Sequence, residues 1–98
     1  MALETLPVDL APFYDSEAAQ TDLLNDALAS GHAGYIANAL GIVARARGMS
    51  GLAADTGVKR QQLYRALSEH GNPTLETLTK VINALGFRLS VEREPAAG

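Results

Sequence analysis

The chain has 98 residues, 47% hydrophobic and 19% charged, which is the make-up of a globular protein one domain in size. It contains no cysteine, which excludes a disulfide framework and any Cys-based nucleophile or metal site, and no run of about 18 apolar residues that would span a membrane. The net charge of −3 is unevenly divided: residues 1–33 hold six acidic residues and no Lys or Arg, whereas residues 34–98 hold eight basic residues against five acidic. That division suggests two partners of opposite sign, although an acidic arm that only aids solubility would give the same count. The opening residues lack the basic-then-apolar order of an export signal, so the protein is expected to be soluble and cytoplasmic.

Residues 1–15 contain Pro7, Pro12, Phe13 and Tyr14 without helical periodicity and read as an extended arm. With Leu6, Val8, Leu10, Phe13 and Tyr14 the arm is too apolar for a linker, and it should lie on its own domain or on a partner. Ser16 is placed to cap a helix that starts at Glu17 and stops at Gly31, with Ala19, Leu23, Leu24, Ala27 and Leu28 as its apolar stripe. A second helix is predicted from Ala33 to Arg47, where Ile36, Ala39, Leu40, Val43 and Ala44 recur at helical spacing before Gly48. Two short helices, roughly Ser50 to Thr56 and Lys59 to Ser68, are separated at Gly57. After Gly71, Asn72 and Pro73, Thr74 caps a last helix with the stripe Leu75, Leu78, Ile82 and Leu85, closed by Gly86. Phe87, Leu89 and Val91 then alternate with Arg88, Ser90 and Glu92, the period of a half-buried strand, which would have to pair with the arm or with another chain. The fold class expected is therefore all-α, five helices with a short C-terminal β-strand and an N-terminal arm, the domain ending near Arg93.

A helix pair that reads DNA needs a small residue where its helices cross, a residue tolerant of positive φ in the turn, and aliphatic residues facing inward on the second helix. Ala53, Gly57 and the set Val58, Leu63, Ala66 and Leu67 meet these demands in turn. Lys59, Arg60, Gln61, Gln62 and Arg65 are then left facing outward with no acid among them. Arg, Lys and Gln suit guanine, adenine and phosphate edges, each good base contact being worth roughly 1–3 kcal/mol of discrimination. Tyr64 either touches the DNA backbone or packs at the helix edge, and Arg47, with Arg45, either binds phosphate or complements its helix dipole. His32 and His70 stand far apart, each beside a glycine, and no nucleophile motif, phosphate loop or paired carboxylates occur, so neither metal, cofactor nor enzymatic activity is expected.

The stretch Ser50 to Leu67 (SGLAADTGVKRQQLYRAL) with Gly71 to Leu78 (GNPTLETL) resembles the lambda-repressor-like helix-turn-helix fold of the Cro and Xre regulators. Where that fold often opens its first motif helix with Gln or Thr, this chain has Met49, Ser50 and Gly51, and Ser50 is the candidate cap and phosphate contact. Within the broad family, Glu4 to Asp9 (ETLPVD), Ile42 to Met49 (IVARARGM) and Leu63 to Ser68 (LYRALS) are similar to the HigA-like antidotes of type II toxin–antitoxin pairs. The resemblance implies a homodimer that represses its own operon on double-stranded operator DNA and neutralises a small basic toxin of the RelE/ParE type. The alternative is a stand-alone repressor with no toxin. On this reading residues 1–32 bind the toxin, with Leu6, Val8, Phe13, Tyr14, Glu17 and Asp22 as candidate contacts, and residues 33–93 bind DNA.

Overall fold

In the computed structural model, which describes residues 9–96, the apolar periodicities become five α-helices: α1 (Glu17–Ser30), α2 (Ala33–Arg47), α3 (Met49–Thr56), α4 (Arg60–Ala66) and α5 (Leu75–Ala84). Two helix starts are set by hydroxyls, as expected from the residue types. Ser16 Oγ accepts the Ala19 N–H at 3.1 Å and Thr74 Oγ1 accepts the Thr77 N–H at 3.1 Å, each filling one of the donors that a helix start leaves open.

The axis of the core is α2. Ala37, Ala39, Leu40, Gly41, Ile42, Val43 and Ala44 are all buried, because α1 packs along one side while α3 and α4 cross its C-terminal half. Its small residues permit that enclosure. A Cβ on Gly41 would overlap the Leu67 carbonyl oxygen, so the end of α4 passes α2 at backbone distance. From α1 come Leu23, Leu24 and Ala27, from the later helices Met49, Leu52, Leu63, Val81 and Ile82, and from the residues that end α4 and α5 Leu67 and Leu85, all in one cluster. The acidic first helix is thus part of the core that holds the α3–α4 pair.

Three expectations are corrected. Among the described residues no strand forms at Phe87–Val91 and none lies beside it to pair with; Phe87 instead packs half-buried against the core while Leu89 and Val91 stay exposed. The arm is not extended throughout, since Ala11–Phe13 is a 3₁₀ turn with Pro12 in its first positions and Ala11 buried against α2. In α5 the buried stripe starts later than the spacing suggests: Leu75 is 73% exposed, and Val81 takes a fully buried place instead.

Candidate nucleic-acid interface and acidic arm

The turn between α3 and α4 is built from three short-range bonds. Gly57 sits at φ 73° and its N–H reaches Ala53 O at 2.9 Å, a conformation that a side chain would strain. Thr56 Oγ1 donates to Leu52 O at 2.8 Å and accepts the Val58 N–H at 3.2 Å, which turns Val58 back toward the core. Leu63 and Leu67 then point fully inward and Ala66 partly so. The periodicity leaves Lys59, Arg60, Gln61, Gln62, Tyr64 and Arg65 exposed.

On that face the Arg60 guanidinium lies 5.7 Å from the centre of the Tyr64 ring and its Nη2 reaches the Tyr64 hydroxyl at 3.5 Å. Tyr64 is therefore stacked under Arg60, one turn along the helix, and limits the rotamers of that arginine before any ligand arrives. Ser50 is exposed in the first turn of α3, but the residue preceding the helix is Gly48, so the expected capping role of Ser50 is not realised. The helix starts two residues earlier than a Ser50 cap would place it.

Arg45 and Arg47 separate into two environments. Arg45 pairs with Asp9 at 3.2 Å, which ties the arm to α2. The Ala11 N–H and then the Arg45 guanidinium hold the Asp9 carboxyl below its ordinary value. Arg47 donates from Nε to Gln20 Oε1 at 2.9 Å and lies 6.0 Å from the centre of the Phe87 ring. Gln20, missed in the sequence, is only 3% exposed, and its Nε2 donates to the Tyr14 carbonyl at 2.8 Å. Its spacing from Leu23, Leu24 and Ala27 on one helical face was the available signal.

The toxin-side candidates divide in the same way. Phe13 is 72% exposed at the 3₁₀ turn, whereas Tyr14 is half-buried against the core. Glu17 and Asp22 are exposed on α1, and Leu6 and Val8 lie outside the described residues. Asp26 on the same helix accepts the Tyr35 hydroxyl, and that bond together with partial burial raises the Tyr35 phenol above its ordinary value. His32 and His70, distant in sequence, line one shallow depression with Tyr35, Asn38 and Glu69. Among the described residues no three of His, Asp or Glu converge on a point that could hold a metal ion, and no helix is long and apolar enough to cross a membrane.

Residues 4–93 match the model of a family described as "probable addiction module antidote protein". An uncharacterized protein of Haemophilus influenzae (strain Rd) is 42% identical over 85 residues, covering 87% of this chain and 88% of that relative. No solved structure matches the chain. An antidote implies a toxin as partner. With nearly its whole length matched, the chain belongs to the family of probable addiction module antidote proteins.

Proposed function

We propose that the chain is the antidote of a type II toxin–antitoxin pair, binding a small basic toxin of the RelE/ParE type through residues 1–32 and repressing its own operon through residues 33–93. The α3–α4 pair is read as a helix-turn-helix of the Cro/Xre kind. The observation that carries the DNA-binding half is the face of α4, where Lys59, Arg60, Gln61, Gln62, Tyr64 and Arg65 are all exposed without an acid among them. A surface helix that serves only solubility mixes both signs, and an acid-free face with Arg and Gln side by side suits phosphates and base edges. In this reading Arg60 and Gln61 contact bases, while Ser50, Lys59, Gln62, Tyr64, Arg65 and Arg47 hold the backbone.

Base contacts carry discrimination, and phosphate contacts hold every sequence alike. Arg60→Ala should therefore narrow the affinity ratio between operator and random duplex by roughly 1–3 kcal/mol. Titrations of both duplexes at one fixed salt concentration measure that ratio. An unchanged ratio would remove Arg60 from the base-reading set.

The active form is proposed to be a homodimer, since one domain of this size covers little DNA and two-fold dimers read half-sites roughly 34 Å apart. Leu28 and Leu89, both exposed, border one apolar hollow with the half-buried Leu78. Such a patch is costly to leave in water. Sedimentation at micromolar concentration should give a dimer, and replacing Leu28 and Leu89 by aspartate should give a monomer. A monomer from the unaltered chain, with and without operator, would refute the assignment.

A further inference from the structure

We propose that Gln20 is a positioning residue for DNA binding: through Arg47 it presents a guanidinium to the duplex backbone at the corner where α2 enters the α3–α4 pair. The inference rests on the DNA-reading role proposed for that pair and concerns residues outside it. Gln20 is the single buried polar side chain among the described residues, set between Leu23, Leu24 and Ala27 on the inward face of α1. A leucine there would pack without the cost of burying an amide. The amide is retained with both ends used: Nε2 donates to the Tyr14 carbonyl at 2.8 Å and Oε1 accepts Arg47 Nε at 2.9 Å.

The consequence falls on Arg47. It is the last residue of α2, followed only by Gly48 before α3 begins. Its Nε edge is held by Gln20 and one side of its guanidinium lies toward the Phe87 ring, 6.0 Å from the ring centre. Among the described residues the two terminal nitrogens have no hydrogen-bond partner and no carboxylate lies in salt-bridge range, in contrast to Arg45, which is neutralised by Asp9. A guanidinium fixed on one edge and one face offers its remaining donors as a fork, the geometry that a phosphodiester oxygen pair accepts. Free arginine side chains lose rotamer freedom on binding, and this one has surrendered much of it in the folded state.

The test is the salt dependence of binding to mixed-sequence duplex DNA by the full chain, because each phosphate contact adds about 0.9 to the slope of log affinity against log salt. Gln20→Met keeps the length and apolar packing of the side chain but frees Arg47. It is expected to weaken binding about tenfold and to flatten the slope by about 0.9, while thermal unfolding stays cooperative. Arg47→Ala should do the same, and the double substitution should add nothing further, since both remove one contact. A wild-type slope for Gln20→Met overturns the proposal, as does full additivity of the pair. If Gln20→Met fails to give the helical spectrum, Gln20→Leu, which also removes the acceptor of Arg47 Nε, carries the test, with the same weaker binding and flatter slope expected and a wild-type slope overturning it. Absence of any salt-dependent duplex binding by the unaltered chain refutes the DNA-reading role itself, a different result from a variant that binds as the unaltered chain does.

Discussion

Leu63→Ala is expected to destabilise the protein by about 2–5 kcal/mol, lowering its thermal midpoint by about 10 °C or more. Leu63 is 0% exposed at the centre of α4, and that helix is only seven residues long. So short a helix has little stability of its own and is held by the side chains it buries. Leu63 belongs to the same buried cluster as Leu40 and Val43 of α2 and Val81 of α5, so its removal leaves a void within that cluster. A domain of this kind holds roughly 5–15 kcal/mol in all, and the loss is a large share of it. Circular dichroism against temperature measures the shift. Gln62→Ala, on the exposed neighbour, should change stability by no more than about 0.5 kcal/mol. A loss of under about 1 kcal/mol for Leu63→Ala would mean that α4 is not anchored through this residue.

Phe13→Asp is expected to abolish toxin neutralisation while leaving fold and duplex binding as they were. Phe13 is 72% exposed on the 3₁₀ turn, beside the exposed Leu10, in a segment without a basic residue. An exposed aromatic ring among acids is the type of group that anchors an interface with a basic protein, and such anchors cost about 2 kcal/mol or more when lost. Aspartate removes the ring without emptying any core position. Truncating the arm is a poorer probe: removing residues 1–30 takes Leu23, Leu24 and Ala27 out of the core, and removing residues 1–15 takes Ala11 and the carbonyl that Gln20 binds. Growth rescue from the partner toxin, with the thermal midpoint and duplex affinity as controls, reads the outcome. Full rescue by a folded Phe13→Asp chain would place the neutralising contact elsewhere.

Helix positions were legible because they depend on short-range chemistry. Ser16 and Thr74 cap the helices that follow them, and Gly57 takes the positive φ that the turn requires, for reasons contained within four residues. The outward set on α4 was equally legible, since Leu63 and Leu67 fix which side faces in and the basic residues occupy the remainder. The uneven charge is a matter of composition alone.

What needed the assembled chain was every outcome that depends on two distant segments competing for one surface. Periodicity suggested a strand at Phe87–Val91, but a strand exists only with a partner, and the ring of Phe87 packs beside Arg47 instead. Leu75 and Val81 both fit an amphipathic helix, and only the placement of α3 against α5 selects Val81 for burial. Arg45 and Arg47 look equivalent in the run before Gly48, yet one is paired with an aspartate 36 residues away and the other is held at its Nε edge alone by a buried amide 27 residues away. Local pattern specifies the dihedrals and the faces of each helix, because those energies arise within a turn or two. The partners of its polar groups are chosen by packing, because burial makes an unmet hydrogen bond expensive wherever along the chain its complement happens to lie.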